Sequence, residues 1–504
     1  FFGKEATAIV LLRKMKILFI YIGGPQLGIE YLSSMLKSKG HQTSLLFDPA
    51  IFSGHFLLNI PLFKGLFSLD KKIIEQAVKQ KPDLICFSCF TGNYRWSINI
   101  AKNIKKLADI PIVFGGVHVT AVPELVLKND CVDYVIVGEA EYALLDLVKH
   151  IESKRSNANL KIKNVGYKYK NKIFINPPRP YIRDLDSLPM PDKDIFYNKA
   201  PAFKDTYSIM VNRGCPFACT YCSNNMYHKL YCNERNHIRS RSVQNVIKEL
   251  KIAKSKYNPR SVGFTDDVFT LSYDWLKEFI PLYKKEIGLE FSCLTQAMYM
   301  TPEIAAILKD GGCWSIGMGV QSGSTRIRRE IFKRYETNEQ IIRACSVIKK
   351  AKIRLFVDFI LGSPSETEED IKESLKLLGK IKTDRILLFF LAYLPKTEIA
   401  NIGKDYGYIN EQTIQDIEHG ITSGYIHSMD FVKKKGMYEK YWLLFQLRVL
   451  FQNNLLFNLS SKVAEILPFK EFFALLVTLL ISIKIRNTRY LYYFKYIVSK
   501  KNVP

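Results

Sequence analysis

The chain has 504 residues, 47% of them hydrophobic and 24% charged, the proportions of an ordinary globular protein with room for two or three cores. Its 73 Lys and Arg against 48 Asp and Glu leave a net charge of +25, which asks for an anionic partner, membrane surface or cofactor beyond the Lys that merely solvate helix faces. Ten cysteines without a regular framework and no secretory pattern exclude a disulfide-stapled secreted domain and point to a reducing, cytoplasmic setting, while no run reaches the roughly 18–20 apolar residues of a membrane span.

Residues 1–14 read as sequence upstream of a natural start at Met15, which runs directly into the apolar strand Lys16–Tyr21. Strand and helix then alternate across 15–152: a Gly23-Gly24 turn, a helix through Leu36, strands at Leu84–Ser88, Ile112–Phe114 and Val135–Val137, and helices near Trp96–Leu107 and Ala140–His150. Short apolar strands separated by amphipathic helices predict a doubly wound, Rossmann-like parallel sheet, whose ligands sit at the carboxyl ends of its strands. Those ends carry Ser88, then Gly115-Gly116-Val117-His118, then Gly138-Glu139. Cys86, Cys89 and Cys131 leave two readings, buried thiols or ligands of a further cluster.

Residues 153–205, with Asn176-Pro177-Pro178-Arg179-Pro180 and Leu188-Pro189-Met190-Pro191, read as an extended connector. From 206 to 410 about six strand–helix units follow, which predicts an open (β/α)6 relative of the TIM barrel. Its first strand leads into Cys215-x3-Cys219-x2-Cys222, with Tyr221 before the last cysteine. Three thiols in one loop suit an iron–sulfur cluster with one iron left without a protein ligand. Zinc with His228 or Cys232 as fourth ligand is the alternative. Later strand ends carry Asp266-Asp267, Gly319-Val320-Gln321-Ser322-Gly323 and Asp358-Phe359-Ile360-Leu361-Gly362-Ser363-Pro364, each of which also suits a cap or a turn.

The cysteine loop resembles that of the radical S-adenosylmethionine (radical SAM) enzymes. The segments around Gly115-Gly116-Val117-His118 and Val132–Glu139 resemble the cobalamin-binding domain fused to many of them, and Pro395-Lys396-Thr397 resembles a Pro-Gly-Thr turn with Lys in place of Gly. The resemblance implies a [4Fe-4S] cluster on Cys215, Cys219 and Cys222, and S-adenosylmethionine chelated by the free iron in a cleft lined by Tyr221, Asp266, Gln321 and Asp358. It implies cobalamin against Ser88, Gly115, Gly116, His118, Gly138 and Glu139, with His118 either a cofactor contact or a loop histidine. No Asp-x-His-x-x-Gly follows the first strand, so no protein histidine is expected on cobalt. The implied reaction is methylation of an unactivated carbon or phosphorus centre through a 5′-deoxyadenosyl radical and methylcobalamin, with an electron donor such as flavodoxin or ferredoxin. A cyclase, rearrangement or redox enzyme without methyl transfer is the second reading, and a non-catalytic cobalamin sensor or nucleic-acid binder the third.

Residues 411–504 lie beyond the resemblance and read as a basic, aromatic, helical region. Phe472–Ile483, apolar for twelve positions between Lys470 and Lys484, predicts a buried or interfacial helix. Packing on the barrel, a nucleic-acid backbone, and peripheral contact with an anionic membrane that presents a lipid-like substrate are the readings left open.

Overall fold

The computed structural model describes residues 14–49, 68–234, 236–421, 435–468 and 470–484. Most of the expected upstream stretch and the tail segments 433–434 and 490–496 lie outside them. The chain divides into two units, one formed by residues up to Pro49 with Ser68–Arg179 and Pro189–Ile195, the other by Pro180–Leu188 and Phe196 onward.

The first unit is a seven-stranded sheet in the order β2-β1-β3-β4-β5-β6-β7. Its strands are β1 (Lys16–Ile22), β2 (Gln42–Asp48), β3 (Leu84–Ser88), β4 (Ile112–Gly115), β5 (Tyr134–Ile136), β6 (Val165–Tyr169) and β7 (Lys172–Ile175). The first five are parallel, and their 2-1-3-4-5 order reverses direction between β1 and β3. Strands covered on both faces become continuous apolar runs, as in Ile17–Ile22, Leu84–Phe87 and Ile112–Phe114, all buried. The Phe87 and Phe114 rings stack at 4.7 Å between neighbouring strands.

Two features depart from the expected pattern. Edge strand β2 opens on Gln42-Thr43-Ser44, partly exposed residues whose polarity hides the strand. The stretch read as a connector contains the antiparallel hairpin β6–β7. Its two-residue turn, Lys170-Asn171, has φ of +47° and +62°, the signature of a type I′ turn. Further on, Asp192 accepts from Ser33 Oγ at 2.5 Å and Lys37 Nζ at 2.7 Å. The fully buried Lys193–Glu30 pair, 2.5 Å apart, holds the same segment onto the helix Leu27–Ser38.

The second unit is a six-stranded parallel sheet in the order β15-β14-β13-β12-β11-β8, sequential and unclosed. It comprises β8 (Thr206–Ile209), β11 (Ser261–Phe264), β12 (Glu290–Thr295), β13 (Cys313–Gln321), β14 (Arg354–Leu361) and β15 (Arg385–Phe390). Helices follow the strands, and Ser242, Thr301, Thr337 and Thr367 each cap one by accepting a backbone N–H from its first turn. A short antiparallel ladder, β9 (Asn212–Arg213) with β10 (Arg239–Ser240), brackets the cysteine loop.

Among the described residues three helices come last: Lys435–Leu450, Asn454–Ile466 and Lys470–Lys484. The first packs on the barrel, with Phe445 5.4 Å from Phe359 and Tyr438 6.1 Å from Phe390. Tyr441 donates to Glu368 Oε1 at 2.7 Å, beside the start of the helix Glu368–Ile381. Among the described residues no helix is long and apolar enough to cross a membrane.

Candidate active site

The cysteine loop leaves the carboxyl end of β8 and turns at Gly214, whose φ is +93°. A Cβ there would stand 2.0 Å from the His237 carbonyl oxygen, so only glycine lets the two arms of the loop approach. Cys215 and Cys219 are buried and Cys222 half-buried, all as free thiols. His228 Nε2 donates to the Cys215 carbonyl at 2.9 Å, and the Thr220 hydroxyl donates to the Ile331 carbonyl at 2.6 Å. Each tie fixes the backbone beside a cysteine. His228 therefore braces the loop, and Cys232 is exposed beside Asn233. Among the described residues no three His, Cys, Asp or Glu side chains form a ready cage for a bare ion.

The donor chemistry fits an iron–sulfur cluster. Burial, with Asp267 and the other two thiols adding to it, pushes Cys215 up to about 12. Burial likewise takes Cys222 to about 11. Thiols so placed ionise only against positive charge, which metal supplies.

Around the loop the barrel gathers the other expected residues. Asp266 is wholly buried at the end of β11, and its Oδ1 accepts from the Val211 and Asn212 amides at 3.0 and 2.5 Å. It fixes the backbone that enters the cysteine loop, while its Oδ2 is buried without a hydrogen-bond partner. Burial pushes this carboxyl up to about 7. Gln321 ends β13 at a register shift with φ of +68°, a costly conformation for a residue other than glycine, and its Oε1 is also buried without a partner. Asp358, opposite Gly319 on β14, is pushed up to about 7 by burial, with Arg385 and Arg334 pulling the other way.

Arg334 was not legible in the sequence, where it stands in a charged Lys-Arg-Tyr-Glu run like any surface loop. It is buried and ion-paired with buried Glu336. Its guanidinium donates to the Gly319 carbonyl at 2.8 Å and to the Tyr221 hydroxyl at 3.2 Å. Its charge opposes the effect of burial on Cys219. One cation thus ties the cysteine loop to the end of β13. Lys396, in the place of the expected glycine, has φ of +58°, which accounts for the glycine of the Pro-Gly-Thr pattern.

In the first unit, burial gives way to half-exposure at the carboxyl strand ends: Gly24 after β1, Ser88 on β3, Gly115-Gly116 at β4 and Gly138-Glu139 after β5. Gly116 has φ of +100°, and a Cβ there would lie 2.6 Å from the Cys89 carbonyl oxygen. The Thr120 hydroxyl donates to the Gly116 carbonyl at 2.9 Å and accepts from the Gly138 amide at 3.0 Å, joining two of these loops. A backbone-lined lip of this kind fits a large planar ligand such as cobalamin. His118 is buried behind it, its Nδ1 3.2 Å from Thr91 Oγ1 and its ring 4.2 Å from that of Tyr94. Cys89 and Cys131 belong to the apolar core and Cys86 is buried within β3, as packing thiols are.

The sequence profile of the Radical SAM superfamily matches residues 209–378, and that of the B12 binding domain matches residues 20–148. An uncharacterized methyltransferase of Pyrococcus horikoshii is 32% identical over 72% of this chain and 74% of its own length. The anaerobic magnesium-protoporphyrin IX monomethyl ester cyclase of Rubrivivax gelatinosus is 24% identical over 72% of this chain and 65% of its own. Among solved structures, the radical S-adenosylmethionine methyltransferase TsrM of Kitasatospora setae, with cobalamin and a [4Fe-4S] cluster bound, superposes with a TM-score of 0.61 at 16% identity, covering 78% of each chain. The two matched domains, their order and the relative at 32% identity agree with the two units and the site geometry: the chain belongs to the radical SAM enzymes that carry a B12-binding domain.

Proposed function

We propose that this enzyme methylates an unactivated carbon or phosphorus centre of a small, lipid-like molecule. A [4Fe-4S] cluster on Cys215, Cys219 and Cys222 would supply an electron and an open iron for S-adenosylmethionine, and cobalamin a methyl carrier. The chain's own residues prepare the site. Asp266 holds the backbone entering the loop, Arg334 ties Tyr221 to Gly319, and Gln321 and Asp358 present polar groups on neighbouring strands. In this reading Tyr221, Asp266, Gln321 and Asp358 border the S-adenosylmethionine cleft. Ser88, Gly115, Gly116, Gly138 and Glu139 meet cobalamin, with His118 supporting them from behind. Burial around the thiols keeps water from a radical. The electron comes from a small donor protein of the flavodoxin or ferredoxin kind.

The observation that carries the reading is the three-thiol loop at the carboxyl end of an open parallel barrel, in a chain 32% identical over 72% of its length to an uncharacterized methyltransferase. The 24% identity to a cyclase supports the second reading, radical chemistry without methyl transfer. Anaerobically reconstituted protein is expected to retain four irons and form 5′-deoxyadenosine, and Cys219→Ala to lose both. A Cys215, Cys219 and Cys222 triple alanine variant that keeps its visible iron–sulfur absorbance contradicts the assignment.

A further inference from the structure

The helices Asn454–Ile466 and Lys470–Lys484 turn apolar side chains outward. On Lys470–Lys484, Phe472, Leu475, Leu476, Leu479, Leu480 and Ile483 are all exposed, a spacing of three and four that draws one continuous stripe. The opposite side of the same helix buries Ala474 and Ile481. On Asn454–Ile466, Leu455, Leu459, Val463 and Ile466 repeat the pattern, with Ile466 83% exposed. An ordinary surface helix has its apolar stripe inward, and outward stripes on two successive helices mark an interaction surface.

Charge decides the kind of partner. Residues 431–504 contain thirteen Lys or Arg, three Glu and no Asp. A second copy would bring the same excess against itself, whereas an anionic surface complements it. Over its fifteen described residues the helix is about 22 Å long, short of the roughly 30 Å hydrocarbon core, a length that suits lying in a membrane interface.

We infer that the outward faces of Asn454–Ile466 and Lys470–Lys484 dock the enzyme on an anionic phospholipid bilayer, with the apolar stripes set among the acyl chains near the headgroups. The inference does not rest on the radical reaction.

The test is flotation of the full-length, cluster-loaded protein with vesicles of phosphatidylglycerol and phosphatidylcholine or of phosphatidylcholine alone. Flotation with the anionic vesicles is expected, at least tenfold weaker with the neutral ones. Leu476→Gln with Leu480→Gln should weaken anionic binding at least tenfold while circular dichroism and 5′-deoxyadenosine formation stay unchanged. Lys462→Gln with Lys470→Gln leaves the stripes intact and should weaken it less, and more so at low salt. Wild-type protein that stays at the bottom with anionic vesicles overturns the inference. So does a leucine pair that binds like wild type, or a lipid-free dimer that the same leucine changes dissociate.

Discussion

At the scale of single residues, the site depends on groups whose role is not written in their identity. Cys215, Cys219 and Cys222 stand out in the sequence because thiols at fixed short spacing have few other uses. Arg334 was not, because its partners Gly319, Tyr221 and Glu336 meet only in the folded barrel. Asp266 was legible as a strand-end carboxylate, but its grip on the Val211 and Asn212 amides was not. That grip has a measurable consequence. Burial holds the folded pKa of Asp266 near 7, above an unfolded value of about 3.9. The folded state then keeps a proton that the unfolded chain releases, so this residue's contribution is complete below pH 4 and is lost as pH rises toward and through 7. Asp266→Asn retains an acceptor for the two amides and has no proton to lose. Urea unfolding between pH 5 and 8 should show a smaller loss of stability in this variant than in wild type, by an amount on the order of 1–3 kcal/mol. Equal slopes would assign the proton elsewhere.

At the scale of elements, apolar periodicity carried the buried parallel strands, since Leu84–Phe87 has one stable place in a sheet covered on both faces. It failed at β2, where half-exposure mixes polar and apolar residues, and at β6–β7, whose turn is built from Lys and Asn rather than glycine. The strand-end loops of the first unit bear on cobalt ligation. Among its described histidines, His41 sits beside the Met15 amide, His118 is held by Thr91 and Tyr94, and His150 lies 2.8 Å from Asn157 Oδ1. None stands on the half-exposed lip. Electron paramagnetic resonance of the bound cob(II)alamin is therefore expected to lack the nitrogen superhyperfine splitting of a protein imidazole. An imidazole pattern that disappears in His118→Ala would show that this histidine reaches the metal.

At the scale of the whole molecule, the two-unit order follows from composition and from the change of pattern along the chain, whereas the outward stripes of the last helices needed the structure. A run such as Phe472–Ile483 is apolar all round, and sequence alone does not say which side packs on Lys435–Leu450 and which meets solvent. The stoichiometry of the reaction distinguishes the two enzyme readings. Methyl transfer by this route consumes two molecules of S-adenosylmethionine per product, one donating its methyl group and one cleaved reductively. The most direct measurement is the ratio of S-adenosylhomocysteine to 5′-deoxyadenosine formed by the reconstituted enzyme, with cobalamin and reductant, in an anaerobic extract containing its substrate. Both products are expected in equal amounts, with a labelled methyl group from S-adenosylmethionine appearing in a new metabolite. Substrate-dependent 5′-deoxyadenosine with no S-adenosylhomocysteine would contradict methyl transfer and leave the cyclase-like reading in its place.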